Sequence, residues 1–347
     1  MRKFVICLAV AAFLCLPVNG IEIAAPEVPS AGAELMPDRT GSFGEAVLEI
    51  CGDALCYFRP DLQEAARSCA AVLAAVLILS LISAFPGEHK SVTELVAAVL
   101  IGTLLLQSGN SLIVLGADTV AQLSEYGRLL LPVMAAGLAA QGGVTAAASI
   151  YTGTALFDAL LCGFISKVLV PAIYMFLALA VACGALNDPM LQKLRNGIKS
   201  AAVHCLKTVL YVYTGYISIT GVVSGTTDAG VLKAAKLTIS GVVPVVGGIL
   251  SDASEAVLVS AGTVKNAAGI YGMLAILAVW LGPFLRIGAH YLILKALEAL
   301  CAVFGLKAAT GVIGDFSTAM GLLLAMTGTV CLMLIISTIC FMKGAGL

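Results

Sequence analysis

Two carboxylates and an ammonium follow the most irregular apolar stretch of the chain. Asp252, Glu255 and Lys265, with Asn266 beside them, come after residues 238–250, where Pro244 and the pair Gly247-Gly248 interrupt an apolar run of about ten residues, half of the roughly 20 that a membrane-spanning helix needs. Broken backbone is tolerated at membrane depth only where protein or a water-filled cavity satisfies it, so charges beside it are suited to binding an ion or lining a polar path. Ordinary solvation at the membrane interface explains the same three charges equally well. A second set lies inside apolar stretches: Asp158, Lys167, Lys295 and Glu298. Each such charge costs roughly 2.5–3.5 kcal/mol at mid-bilayer on insertion scales. Lys295 and Glu298 are three apart, so one helix face can pair them. Lys167 lies about ten residues into its stretch, where its long stem can snorkel toward water.

Catalytic patterns are absent. His89, His204 and His290 are the three histidines, and none stands in H-E-x-x-H; no G-x-S-x-G and no G-x-x-x-x-G-K-[ST] occurs. Gly311-Val312-Ile313-Gly314-Asp315 lacks the Gly-x-Gly-Asp of intramembrane aspartyl proteases, and Asp315 reads as an interfacial residue near a helix start. No Cys/His spacing suits a metal. No catalytic residue, metal ligand or cofactor site is assigned, and work on ATP would belong to a partner. Of the eleven cysteines, Cys51 and Cys56 lie together in a polar segment, where a disulfide would close a turn or tight loop; most of the others read as small hydrophobes in apolar stretches.

The elements that position these groups are helical and membrane-bound. Across 347 residues, 60% are hydrophobic, 11% are charged and the mean hydropathy is +1.05, which excludes an ordinary soluble domain; the net charge of −1 gives no footing for nucleic acid. Residues 1–20 read as a signal peptide, with Arg2 and Lys3 before an apolar run at 4–16 and small residues after it. Residues 21–67 form an acidic extracytoplasmic segment with nine acidic residues against Arg39, Arg59 and Arg67, and with a short amphipathic helix at 44–64.

Residues 68–347 form the polytopic membrane domain. The expected fold is all-α, with about seven transmembrane helices at 68–85, 94–115, 157–183, 208–223, 268–285, 289–304 and 320–341. The count is six if 268–304 is a single kinked helix, and that choice sets the side of the C-terminus. Two Pro/Gly-broken re-entrant hairpins are expected at 129–150, with Pro132, Gly142 and Gly143, and at 239–262. Lys193, Arg195, Lys199 and Lys207 make 187–207 the strongest basic cluster, which places it in the cytoplasm; 190–202 reads as an amphipathic helix on the membrane surface. Residues 131–138 echo 243–250 at an offset of about 112, which also pairs Pro171 with Pro283; parallel and inverted repeats both remain open. Gly221 and Gly225 form a G-x-x-x-G helix-packing pattern.

A set of runs resembles a known family. Ile217-Ser218-Ile219-Thr220-Gly221, Thr226-Thr227-Asp228-Ala229-Gly230-Val231, Ala234-Ala235-Lys236, Val243-Pro244-Val245-Val246-Gly247-Gly248, Leu250-Ser251-Asp252-Ala253 and Val264-Lys265-Asn266-Ala267-Ala268-Gly269 are similar to the stage III sporulation protein AE family, and Leu131-Pro132 with Gly142-Gly143-Val144-Thr145 looks like their upstream companion. The resemblance covers 95–341. It implies a multi-pass component of the channel or secretion-like complex linking mother cell and forespore. The implied location is the mother-cell-derived membrane around the forespore. Implied partners are other membrane proteins of the same operon, ring-forming proteins among them, and a cytoplasmic secretion-type ATPase. A homo-oligomer is compatible with this, and no nucleic acid is implied. Two rivals stand beside it: a stand-alone secondary transporter using Lys167, Asp252 and Glu255, and a non-conducting scaffold of the complex.

Overall fold

Lipid leaves backbone polar groups no water to bond, so the apolar stretches satisfy themselves as helices, and the described residues contain no strand. The computed structural model describes the backbone of residues 26–37, 43–83, 90–186, 188–242 and 247–343, and side-chain surroundings within these except at 31, 57–61, 68, 83, 90–91, 220–242 and 247–265. The signal-peptide reading of 1–20 and Pro244 lie outside the described residues. The elements are α1 (Ser30–Ala33), α2 (Phe43–Ser83), α3 (Lys90–Ala140), α4 (Val144–Phe164), a π-helical turn (Ile165–Leu169), α5 (Val170–Leu186), α6 (Pro189–Val242), α7 (Gly247–Val303) and α8 (Lys307–Lys343). Among the described residues, five stretches are long and apolar enough to cross a membrane: Leu62–Ile82, Val92–Ala140, Val144–Leu186, Asn266–Val303 and Lys307–Lys343.

The backbone joins segments that hydropathy separates. Residues 94–115, 118–128 and 129–140 all lie in α3, whose 51 residues reach about 76 Å at 1.5 Å per residue, more than twice the hydrocarbon thickness. Nothing at the expected boundary stops the helix: Asp118 is exposed on its surface, and Gly116 is buried against Met326 and Leu323 of α8. Likewise 268–285 and 289–303 form one helix within α7, which ends one residue before the expected Phe304. Pro283 there removes one backbone hydrogen bond, to the carbonyl of Val279, without ending the helix. The helices alternate in direction. Gly184 of α5 meets Val312 of α8 and Ala98 of α3 at one end, while Gly269 of α7 meets Met342 of α8 and Met134 of α3 at the other. The C-terminus of α8 therefore lies at the end that holds the α3–α4 turn.

The bundle is organised around α8, which packs against α3, α4, α5, α6 and α7. Its approach to α3 follows a row of glycines on the latter: Gly109 faces Phe316, Gly116 faces Met326 and Gly127 faces Leu334. Small residues let two backbones come close where lipid supplies no hydrophobic drive between helices. Gly102, seven residues before Gly109, seats Val181 of α5 in the same way. The G-x-x-x-G pair Gly221 and Gly225 is helical within α6, with side-chain surroundings outside the described residues.

Two amphipathic pieces differ from expectation. Residues 44–64 are not a separate helix but the first half of α2. This half packs on Leu274 and Ala278 of α7 through Ala46, Ile50 and Ala54, while Leu48, at 73% exposure, and Leu55 face outward. The basic piece 190–202 is not a separate helix but the opening of α6, and its Arg195 is bound to Asp315 of α8. Asp315 itself lies inside α8, two turns after its start, with 14% of its side chain exposed. Cys51 and Cys56 are both free and five apart on the continuous helix α2. That spacing sets their Cα atoms beyond the reach of about 7 Å that a disulfide tolerates.

Candidate functional site

The polar groups that the fold brings together lie along one face of α4. Thr154, Asp158 and Cys162 are spaced by four, so the helical period stacks them, and α3, α6 and α8 close over them. Asp158 is 3% exposed. Ser124 Oγ of α3 donates to Asp158 Oδ2 at 2.6 Å, and Cys162 Sγ donates to Asp158 Oδ1 at 3.6 Å. One turn earlier, Thr154 Oγ1 lies 2.9 Å from Ser337 Oγ of α8 and 3.2 Å from the Tyr213 hydroxyl of α6. The ring of Tyr213 meets Phe157 edge-on at 5.4 Å. Tyr216 donates to the Ser149 carbonyl oxygen at 2.9 Å and lays its ring over Gly153. Four helices are thus tied by hydroxyls and one carboxylate.

Each tie has a measurable worth. Thr154→Val keeps the side-chain shape but strands the Tyr213 and Ser337 hydroxyls. It is expected to cost about 1–2 kcal/mol, the upper part of what interhelical hydrogen bonds are worth in membranes. Thermal unfolding in detergent of T154V, Y213F and the double variant measures it, and full additivity would show that the two groups do not interact.

Beside this seam is a cavity of about 370 Å³, lined by Ala117, Val120, Ala121, Ser124, Glu125 and Arg128 of α3 and by Cys162, Ile165 and Ser166 across from them. Ser124 and Cys162, the two residues that hold the carboxylate of Asp158, form part of its wall. The π-helical turn Ile165–Leu169 begins at the same place, and Lys167 lies in it, exposed. Such turns are rare and concentrate at functional sites.

The other anticipated residues fall elsewhere. Lys295 and Glu298 pair with each other at 2.8 Å, as their spacing of three allows. Pro132 is exposed within α3, where it deletes the hydrogen bond to the carbonyl of Arg128 without breaking the helix. The break in 129–150 comes ten residues later at Gln141-Gly142-Gly143, where Gly142 takes φ +91° and Gly143 N–H donates to the Leu138 carbonyl at 3.1 Å. Glycine is needed there because L side chains rarely adopt positive φ. Gly247 and Gly248 open α7, and Asp252, Glu255 and Lys265 are helical within it, with side-chain surroundings outside the described residues; Asn266 is exposed. Among the described residues no group of three or more metal-ligating side chains converges.

Ser124, Thr154, Tyr213 and Ser337 were not singled out from sequence. The signal available was the four-residue spacing of Thr154, Asp158 and Cys162 within an Ala/Leu-rich stretch. Their partners lie 34 to 183 residues away and leave no local trace.

Residues 40–346 match the family model described as stage III sporulation protein AE. Over 222 residues the chain is 23% identical to the stage III sporulation protein AE of Bacillus subtilis (strain 168), a match covering 63% of this chain and 55% of that protein. The chain thus spans about half the length of the curated relative it matches. No solved structure matches it.

Proposed function

Because the chain belongs to the stage III sporulation protein AE family, we propose that it is an integral membrane core component of the channel or secretion-like complex that links mother cell and forespore, and that forespore development requires it. The observation that carries this reading is the family match over 40–346 on a chain whose described residues are helical and hold five stretches long and apolar enough to cross a membrane. The protein sits in the mother-cell-derived membrane around the forespore and has no catalytic activity of its own. Ring-forming membrane proteins of its operon surround it, and a cytoplasmic secretion-type ATPase supplies the work.

Its topology follows from charge. The signal and the acidic segment leave the cytoplasm, and the basic start of α6 stays in it. With 268–304 as one helix, the α3–α4 turn and the end of α8 lie on the non-cytoplasmic side. The regions expected as hairpins, 129–150 and 239–262, both fall where two long helices join, in keeping with a repeated arrangement. The second, with Pro244, Asp252 and Glu255, contributes to the wall of the path.

Cysteines placed singly along 244–256 in a cysteine-free background test this. A membrane-impermeant thiol reagent applied from each side should label a periodic subset. Uniform protection from both sides would rule out a path there. The cavity beside Ser124 and Cys162 favours a second reading, a stand-alone secondary transporter, and solute uptake by the purified protein in liposomes would select it. A non-conducting scaffold would show neither uptake nor a labelled subset.

A further inference from the structure

We propose that Ser124, Asp158 and Cys162, with the cavity that Ser124 and Cys162 help to line, form a binding site for one small monovalent cation, a proton or Na+. Asp158 is 3% exposed in the interior of an apolar bundle, and among the described residues no cation forms an ion pair with it. A carboxylate buried without a counter-charge is costly unless it gains a proton or a cation. Its two oxygens already accept from Ser124 and Cys162, and those two side chains border the cavity of about 370 Å³. A cation entering the cavity therefore meets the carboxylate after displacing a single layer of small polar groups.

The surrounding groups limit what that cation is. From α3 the charged groups nearby are Arg128 and Glu125, which line the cavity; from α6 there is the Tyr213 phenol, and from α8 Ser337 and, near Tyr213, Cys340. Arg128 acts on Asp158 only from beyond ion-pair distance, so it tempers the negative charge without cancelling it. A calcium ion takes six to eight oxygen ligands, and Mg²⁺ demands a near-ideal octahedron. One buried carboxylate, one hydroxyl and one thiol do not offer either. A single positive charge is what the cluster balances. The π-helical turn that starts at Ile165 contributes Ile165 and Ser166 to the wall of the cavity beside Cys162, and such turns are frequent at functional sites.

This proposal does not depend on the channel reading, because it is tested on the purified full-length protein in lipid nanodiscs. Dicyclohexylcarbodiimide couples to protonated carboxyl groups in apolar surroundings, and peptide mass spectrometry locates the adducts. Labelling runs across an acidic-to-alkaline pH series, with either choline or Na+ as the bulk cation. The expected result is an adduct on the peptide carrying Asp158 that falls as pH rises and is lost in Asp158→Asn. Protection by Na+ identifies Na+ as the occupant, and a profile indifferent to Na+ identifies the proton. Ser124→Ala keeps the carboxylate and the bundle but removes a donor, and it should displace the pH at which labelling is lost. Absence of any Asp158 adduct, or labelling independent of both pH and Na+, overturns the proposal.

Discussion

Gly153→Ala is expected to destabilise the bundle by about 1–3 kcal/mol, the usual cost of overpacking a filled interior. A Cβ at this position would overlap Cε1 of the Tyr216 ring and stand 2.5 Å from Cζ and 2.7 Å from the hydroxyl oxygen. The ring cannot simply withdraw. Its hydroxyl donates to the Ser149 carbonyl at 2.9 Å, and its face packs on Phe157 with centroids 5.8 Å apart. Moving it forfeits a hydrogen bond worth about 1 kcal/mol and an aromatic contact of about 0.5–1.5 kcal/mol. The helix-propensity gain of alanine over glycine, about 1 kcal/mol, offsets only part of this. Thermal unfolding in detergent reads the loss. Tyr216→Ala in the same chain should make Gly153→Ala neutral or stabilising, whereas strictly additive effects would mean that α4 and α6 do not meet there.

Arg195→Ala comes second, at about 2 kcal/mol. The Arg195 guanidinium and the Asp315 carboxylate are bound to each other between α6 and α8, with 19% and 14% of their side chains exposed. Fully buried pairs lose about 3–5 kcal/mol when one partner is removed, and fully exposed pairs about 0–1 kcal/mol; this one stands between them. The cost arises chiefly from the Asp315 carboxylate left without its partner in a largely dry site. Asp315→Asn should therefore cost less than Arg195→Ala, and the double variant less than their sum. Equal and additive losses would show that the pair is not formed in the membrane-embedded protein.

The helical class was legible because lipid imposes it: long apolar runs have only one way to satisfy their backbone. The Lys295–Glu298 pair was legible too, since both partners share a helix and a spacing of three fixes their proximity. Boundaries were less so. The sequence suggests a break at Pro132 and another between 285 and 289, yet both lie inside helices, and neither Pro132 nor Pro283 ends its helix, because losing one hydrogen bond does not outweigh the bonds on either side. The Gly142-Gly143 turn was visible as a glycine pair but not as the true end of α3. Least legible was which face points inward. In an apolar chain inner and outer faces have nearly the same composition, so the seam of Gly109, Gly116 and Gly127, and the hydroxyls around Thr154, become meaningful only once α8 lies against them.

The central claim is that this membrane protein of the sporulation family works as part of a complex rather than alone. A tagged full-length chain, purified from membranes of sporulating cells with a mild detergent, tests it most directly. The account predicts that the secretion-type ATPase and the ring-forming proteins of the same operon come with it, and that the chain by itself moves no solute in liposomes. A chain that purifies free of them and takes up solute on its own would contradict the account.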